Sequence, residues 1–303
     1  MMATEKGAVK LFKFAGIQVY LHWSWFLVAA YESVWRRSFY ASPIWNAIEY
    51  VSLFGLVLLH EFGHALACRS VGGRANEIVL WPLGGVAYVV PPERPGAMLW
   101  SIAAGPLVNV VMMPVLGFLW FGSHAMQLDK VMPDLVAWIR TLSFLNVMIL
   151  SFNLLPVYPL DGGQILRSLL WFAVGRARSL AVASAIGFVG VAALFAVAMW
   201  TKSGWLAVIA MFMVMNCWRG LNQARLLAHV DEYPRHEGFE CPACHKAPLK
   251  GKHWLCRKCA GGFDQFAEGG TCPSCGTYHP EARCLECGVS GNMDSWLRRP
   301  PVI

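Results

Sequence analysis

Long apolar runs separated by short polar or basic segments fill roughly the first 220 residues of the chain. A helix needs about 20 mostly apolar residues to cross the ~30 Å hydrocarbon core of a bilayer. The pattern predicts six such spans, at roughly 17–34, 46–68, 98–121, 135–155, 179–200 and 203–219. We therefore expect an all-α polytopic membrane protein.

Residues 76–92, between the second and third predicted spans, follow a different pattern. Two short β-prone runs there surround Pro82 and the pair Gly84-Gly85, which predicts a β-hairpin or re-entrant loop on the cytoplasmic side. Non-helical backbone at membrane depth persists only where it is buried in protein or faces water.

Composition agrees with a membrane protein. Hydrophobic residues make up 56% and charged residues 14% of the 303 residues, whereas soluble proteins carry about a quarter charged residues. The net charge is +7, but most basic residues flank apolar runs, so they indicate topology and no nucleic-acid partner is expected.

The basic residues near the spans predict the orientation of the chain. With a cytoplasmic N-terminus, eleven lie inside and five outside: Lys6, Lys10, Lys13, Arg69, Arg74, Arg94, Arg167, Arg176, Arg178, Arg219 and Arg225 against Arg36, Arg37, Lys130, Arg140 and Lys202. We therefore expect both termini in the cytoplasm, with a bacterial plasma membrane as the location.

The second predicted span contains His60-Glu61-Phe62-Gly63-His64 within an otherwise apolar run. Residues four apart share a helix face, so both imidazoles can bind one zinc ion, and Glu61 beside them can act as general base. The alternative is a polar helix face that pairs with another span. Burying each ionisable group there costs about 2.5–3.5 kcal/mol, so three in five residues favour a metal site.

A catalytic zinc ion usually has three protein ligands and a water, and Asp161 is the best candidate for the third ligand. Pro156 and Pro159, shortly before it, must break or bend a helix, and a broken helix at membrane depth usually marks a site. The alternative role for Asp161 is the N-cap of a helix that starts near Gly163. Beside a two-histidine site that lacks a ligand, the metal role is favoured.

Three segments together carry a family resemblance: HEFGH at 60–64, AAGPLVN at 103–109 and NLLPVYPLDGG at 153–163. Their order and spacing resemble the site-2 proteases, which are zinc intramembrane metalloproteases, over about residues 10–220. The segments VYLHWSW and LGGVAY resemble the sporulation-protease branch. In that branch the loop between spans two and three is thought to receive substrate as an added strand.

The resemblance implies an enzyme that hydrolyses peptide bonds within or near the transmembrane segments of other membrane proteins. It implies one catalytic zinc ion on His60, His64 and Asp161, with Glu61 as general base. Many proteases of that branch carry nucleotide-sensing domains after the last span, and this chain has a cysteine-rich tail in that place.

Three polar residues near the motifs leave alternatives open. The resemblance implies that Asn153 and Asn109 lie near the site. Asn153 can donate to the oxyanion of the reaction or can equally satisfy backbone groups freed by the helix break, whereas Asn109 is expected to bridge helices. His22, a lone histidine in an apolar stretch, is expected to make a structural hydrogen bond.

Composition changes after about residue 225, where a polar segment predicts a linker. We expect a transmembrane domain at 1–225, a linker at 226–240 and a small domain at 241–290.

The small domain contains four Cys-x-x-Cys pairs: Cys241/Cys244, Cys256/Cys259, Cys272/Cys275 and Cys284/Cys287. Eight thiolates suit two tetrahedral sites, so the tail resembles a double zinc ribbon with two structural zinc ions. Sequential pairing would join the first four cysteines and then the last four, and a crossed arrangement stays open.

Three functions compete for this chain. The first is the protease, whose partners would be transmembrane protein substrates, the lipid bilayer and a protein partner of the ribbon. A non-catalytic adaptor or metal transporter with the same ligands would have no need of Glu61 beside the first histidine. A ribbon protein that used its spans only as an anchor would have no need of ionisable groups buried in them. These features favour the protease.

Overall fold

The computed structural model describes residues 7–27, 29, 39–81 and 84–297. The chain divides into two compact units. One contains the residues up to 91 and from 95 to 221, and the other contains residues 92–94 and those from 222 onward.

The first unit is mostly helical. Its helices are α1 Pro43–Ser70, α2 Pro95–Ala125, α3 Leu128–Val131, α4 Pro133–Asn153, α5 Asp161–Val174, α6 Arg176–Thr201 and α7 Gly204–Asp231, the last of which continues into the second unit. Within the described residues, five helices are long and apolar enough to cross a membrane, namely all except α3 and α5. They correspond to the second to sixth predicted spans, so a mostly helical fold with multiple spans is confirmed.

The first predicted span, at 17–34, begins differently. Residues Ile17–His22 form strand β2, which pairs antiparallel with β1, Ala8–Phe14. The side chains of Ile17 and Val19 are buried and those between them are partly exposed, which is the period-2 pattern of a strand. A hydropathy window averages over that alternation and therefore predicted a helix. Half of the remaining prediction, residues 28 and 30–34, lies outside the described residues.

Contacts of α1 show which end of this helix the first β-hairpin approaches. Arg69, in the last turn of α1, donates hydrogen bonds to the carbonyl oxygens of Ala15 and Gly16. Helix α1 begins at Pro43, at its opposite end. Gly16 and Pro43 therefore lie at opposite ends of α1, and the chain leaves Gly16 as strand β2.

The predicted hairpin at 76–92 is confirmed as strands β3, Arg74–Trp81, and β4, Gly84–Val90, paired antiparallel. The sheet has the order β1-β2-β3-β4, and β2 pairs with β3 in parallel, as a crossover connection through α1 allows. Ile78 and Leu80 of the sheet pack in one apolar core with Phe62 and Ala65 of α1. The sheet is thereby held against the part of α1 that carries HEFGH.

The second unit contains two short hairpins. Strand β5, Trp254–Leu255, pairs with β6, Gly262–Phe263, and β7, Glu281–Arg283, pairs with β8, Ser290–Asn292, which a 3₁₀ helix follows at Met293–Trp296. The apolar core is small and is built from aromatic rings and cysteines, with Phe266 in ring contact with Trp254 and Trp296. A core of this size needs a metal or another cross-link for stability.

The folded tail extends beyond the predicted bounds of 241–290. Helix α7 continues to Asp231, so the start of the predicted linker at 226–240 is helical. The Glu240 amide donates to the Trp296 carbonyl over 2.7 Å, and the Arg235 guanidinium lies 2.7 Å from the Glu286 carboxylate. That ion pair and a second from Lys246 hold the pKa of Glu286 below its ordinary value, although burial opposes them.

Candidate metal centre

His60, His64 and Asp161 come from distant parts of the chain and meet at one point. The two histidines lie one turn apart on α1, and Asp161 is the first residue of α5. The Nε2 atoms of the histidines are 3.1 Å apart, and Oδ2 of Asp161 lies 3.1 Å from His60 Nε2 and 3.3 Å from His64 Nε2. The three predicted ligands thus direct one donor atom each towards a common point, where a metal ion could bind.

The hydrogen bonds of the two imidazoles suit a metal ion. His60 Nδ1 lies 2.6 Å from the side-chain oxygen of Asn109, and His64 Nδ1 lies 2.9 Å from the carbonyl oxygen of Ser101. Both oxygens can only accept, so each Nδ1 donates, and each Nε2 of a neutral ring carries a lone pair. Two imidazole lone pairs and a carboxylate oxygen facing one another repel unless a cation lies between them.

The spacing of the donor atoms also fits zinc. Zinc–nitrogen and zinc–oxygen bonds of about 2.0–2.2 Å in a tetrahedron place neighbouring ligands about 3.3 Å apart. The three separations in this centre are 3.1, 3.1 and 3.3 Å. Three protein donors leave one position of a tetrahedron for a water or a substrate, as in catalytic zinc sites.

Two fully buried asparagines fix the orientation of His60. The Asn109 side-chain amide donates to Asn146 Oδ1 over 2.8 Å, and the Asn146 amide donates to the Asn109 carbonyl over 3.0 Å. Asn109 therefore has to turn its own oxygen towards His60. As expected, it lies near the site and bridges helices. Asn146 was missed by the sequence analysis, although a lone amide within an apolar span was a usable signal.

In the segment AAGPLVN, position 105 has to be glycine because it faces His64. Ser101, Gly105 and Asn109 are spaced by four on α2 and form one helix face, which meets α1. A Cβ atom at Gly105 would lie 2.2 Å from His64 Nε2, and a Cβ atom at Gly63 of α1 would lie 2.7 Å from the Ala104 carbonyl oxygen. Because both positions are glycine, α1 and α2 can approach closely enough for the hydrogen bonds from His60 to Asn109 and from His64 to Ser101.

Asp161 follows a break between α4 and α5. A Cβ atom at Gly162 would lie 2.3 Å from the Leu154 carbonyl oxygen, and one at Gly163 would lie 2.4 Å from the Tyr158 nitrogen. The first turn of α5 therefore packs directly on the backbone of the break. Leu160 occupies the N-cap position of α5, and the carboxylate of Asp161 faces the histidines, so the alternative N-cap role for Asp161 is wrong.

Glycines on α6 and α7, the last two spans, contact the same break between α4 and α5. A Cβ atom at Gly190 of α6 would lie 2.2 Å from the Val157 side chain, and one at Gly220 of α7 would lie 3.0 Å from the Tyr158 ring. Cys217 donates its thiol to the Tyr158 carbonyl oxygen over 2.9 Å. Helices α6 and α7 thus pack against the segment between α4 and α5 that precedes Asp161.

The remaining polar residues near the motifs occupy different surroundings. Glu61 is buried on α1 beside His60, and Asn153 is half-buried at the last residue of α4. The Asp161 side chain is 14% exposed, against 5% for His60, so the centre is least buried on the side of α5. His22 lies outside the cluster, where its ring bonds to Ser24 and stacks on Trp81 at 3.9 Å, as expected for a structural histidine.

The eight tail cysteines form two clusters, and the sequential pairing is wrong. Among the described residues, the first pair faces the fourth and the second faces the third, in the groups Cys241, Cys244, Cys284, Cys287 and Cys256, Cys259, Cys272, Cys275. Facing sulfur atoms are 3.6–3.7 Å apart. That is far longer than a disulfide bond of about 2.05 Å and close to the ~3.8 Å edge of a zinc–thiolate tetrahedron.

Each cysteine pair is presented by the same backbone turn. The amide of the first cysteine bonds to a carbonyl five residues on, as from Cys241 to Lys246 over 3.0 Å. The fourth residue after each first cysteine has a positive φ, at His245, Ala260, Gly276 and Gly288. The gaps between pairs cannot reveal which turns meet, because four identical turns fit either pairing.

Comparisons with known proteins agree with this geometry. A model described as peptidase family M50 matches residues 48–128 and 124–197. A zinc metalloprotease of Methanocaldococcus jannaschii is 33% identical over 184 residues, which are 59% of this chain and 50% of that protein. Stage IV sporulation protein FB of Bacillus subtilis is 34% identical over 113 residues, 37% of this chain and 36% of that protein.

A solved structure matches over a larger share of the chain. The site-2 protease of Methanocaldococcus jannaschii is similar with a TM-score of 0.51 at 28% identity, over 71% of this chain and 95% of that chain. The fold and the centre define a polytopic membrane protein of the site-2 protease type. The chain belongs to peptidase family M50. It spans about half the length of the curated relatives it matches.

Gly105→Ala is expected to lower the zinc affinity of the centre more than tenfold, because the new methyl group would displace His64 by about 1 Å or more. Zinc retained after dialysis against a chelator measures the effect in the purified chain. The matched control is Gly117→Ala on the same helix, where a Cβ atom meets nothing within 4 Å. Equal retention by the two variants would contradict the assignment.

Asn146→Ala is expected to reduce zinc affinity about 10–100-fold, the usual effect of losing a partner that orients a ligand. Without Asn146 the Asn109 amide can turn, and His60 loses the acceptor that fixes its tautomer. Chelator competition gives the affinity, with Asn216→Ala as control, since that partly exposed side chain donates to the Phe212 carbonyl of its own helix. Unchanged affinity in Asn146→Ala would show that the asparagine pair has no part in the centre.

Proposed function

We propose that this chain is an intramembrane zinc metalloprotease that hydrolyses peptide bonds within or near the transmembrane segments of other membrane proteins. The observation that carries the proposal is the convergence of Asp161 with His60 and His64, which flank the buried Glu61 on a helix long and apolar enough to cross a membrane. Relatives named as zinc metalloproteases support it.

Each residue of the centre has a distinct role in this proposal. His60, His64 and Asp161 hold the zinc ion, and the chemistry that zinc supplies when bound is Lewis-acid activation of a water and of the scissile carbonyl. The Glu61 carboxylate takes a proton from the attacking water and transfers it to the leaving amine. Asn153 donates a hydrogen bond to the oxyanion.

A helical substrate hides its carbonyl groups in hydrogen bonds, so it has to unwind before cleavage. Strand β4 is an outer strand of the sheet, and an outer strand has a free row of backbone donors and acceptors that can pair with an extended peptide. The sheet packs against the stretch of α1 that carries Phe62 and Ala65. These contacts support β4 as the strand that receives the unwound substrate.

The proposed location is a bacterial plasma membrane with both termini in the cytoplasm. The charge distribution along the sequence supports this orientation, and reduced thiols suit the same compartment. In the tail, the two cysteine groups hold two structural zinc ions, and the folded tail recruits a protein partner or substrate. The tail core is too small to be stable without the metal.

Glu61→Gln is expected to keep its zinc and to lose cleavage by a factor of about 10²–10⁴, the usual contribution of a general base. The assay follows cleavage of single-span substrates by reconstituted protein, with metal content measured on the same samples. Asp129→Asn, an exposed carboxylate in α3, is the matched control and should cleave normally. Full activity of Glu61→Gln would end the protease proposal.

Removal of the tail is expected to reduce the bound zinc from three ions to one. A chain that ends after Glu232 keeps α7 intact, and Cys256→Ser with Cys259→Ser should lose one ion of the full chain. Elemental analysis of purified protein measures the zinc content. Three ions in the shortened chain would contradict structural zinc in the tail, and this result would leave the centre on α1 untouched.

A further inference from the structure

The two cysteine clusters of the tail differ in how well their sulfur atoms are covered. We call the group Cys256, Cys259, Cys272 and Cys275 the Cys256 cluster and the other group the Cys241 cluster. Seven of the eight tail cysteines, all of which the structure describes, are buried in the apolar core of the tail or pack against it. Cys259 is the exception and is exposed. The Cys256 cluster therefore has one ligand that small solutes can reach.

Small residues after Cys259 leave its sulfur uncovered. Ala260 is exposed, and Gly261 follows it. A Cβ atom at Gly261 would lie 3.4 Å from Cys259 Sγ, so a larger side chain at this position would cover the sulfur. The Cys241 cluster has no equivalent opening, because each of its cysteines is buried in the core or packs against it.

Two basic residues lie next to the exposed sulfur in the chain. Arg257 and Lys258 are exposed and stand between Cys256 and Cys259. Of the four Cys-x-x-Cys pairs in the sequence, this pair alone has basic residues between its cysteines, and residues 241–263 include no aspartate or glutamate. Positive charge near a reacting sulfur stabilises an anion that leaves during the reaction.

Cys272 is placed to react with Cys259 after a first step. Its Sγ lies 3.7 Å from Cys259 Sγ, and the residue is only 1% exposed, so a solute does not reach it first. A disulfide bond is about 2.05 Å long, so the two sulfurs need to move together by less than about 2 Å. Cys275 is a weaker nucleophile, because the Thr277 hydroxyl lies 3.2 Å from its sulfur and can donate to the thiolate.

We propose that Cys259 is an oxidation site for hydrogen peroxide, and that its oxidation releases zinc from the Cys256 cluster and not from the Cys241 cluster. The Cys259 sulfur attacks one peroxide oxygen, so an S–O bond forms, the O–O bond breaks and hydroxide leaves. The Cys272 sulfur then attacks Cys259 and displaces a second hydroxide, which forms the disulfide. The two sulfurs lose two electrons in total, the peroxide gains them, and two solvent protons convert the hydroxides to water.

Loss of two thiolates removes half of the ligands of this cluster. Cys256 and Cys275 remain, and two thiolates are too few for a structural zinc site. Cys256 directly follows β5, so oxidation detaches the β5–β6 hairpin from the turn at 272–275 while the Cys241 cluster stays intact. The inference rests on the tail zinc of the proposed function and is independent of proteolysis.

Zinc release from the full chain tests the proposal. The purified protein is treated with a small molar excess of hydrogen peroxide, a chromogenic zinc chelator follows the release, and mass spectrometry locates the disulfide. We expect one ion per chain to be released and two to be retained, with a Cys259–Cys272 disulfide in the product. A thiol reductant with added zinc should restore three ions, because a disulfide is reversible.

Matched variants separate the exposed sulfur from the rest of the tail. Cys259→His should retain zinc, since imidazole is an ordinary zinc ligand, and should slow the release about tenfold or more, because peroxide oxidises thiolates. Cys287→His in the Cys241 cluster is the control and should release at the unmodified rate. Arg257→Gln with Lys258→Gln should slow the release about threefold, whereas Arg257→Lys with Lys258→Arg should not.

The possible failures are distinguishable. Release of both tail ions at one rate, release from the Cys241 cluster first, or fast release from Cys259→His would overturn the oxidation site. A chain that holds a single zinc ion before peroxide is added would overturn the proposed tail zinc, and the release with it. Equal rates for the glutamine and the charge-conserving variants would overturn the part assigned to Arg257 and Lys258.

Discussion

The molecule depends on one constraint: two imidazole lone pairs and a carboxylate face one another at about 3 Å in a mostly buried site. Such an arrangement is repulsive by itself, and water cannot screen the repulsion inside the helices. It persists only if the protein holds each donor rigidly and a cation joins them. Many packing features of the first unit act towards that end.

The groups that hold the donors are uncharged and small. Ser101 and Asn109 accept from the histidines, and Asn146 fixes Asn109. Glycine lets α2 approach His64 at position 105 and lets α6 approach the broken segment at position 190. Any charged support in the same places would cost several kcal/mol in the hydrocarbon. Close packing of backbone with amide hydrogen bonds achieves the same rigidity without adding charge.

The sequence predicted the parts of this arrangement that have a strong local pattern. The metal role of HEFGH was predicted from the spacing of its histidines on a helix and from the cost of burying charge. The role of Asp161 was predicted from the helix break that the prolines before it require. Asn146 was not predicted because a single amide in a span has no periodicity. Strand β2 was misread because its apolar content resembles that of a span. The pairing of the cysteine turns stayed open in the sequence because four equivalent turns can meet in more than one way.

The donor sets also separate two kinds of metal chemistry within one chain. Each tail cluster offers four thiolates, which complete a zinc tetrahedron and leave no position for a reactant. The centre on α1 and α5 offers three donors and therefore leaves one position, and its exposed side is that of Asp161. Among the three clusters of the described residues, this centre alone has a buried carboxylate, Glu61, next to a ligand on the same helix. The proposed catalysis therefore belongs to the centre within the spans, and the proposed role of the two tail clusters is structural.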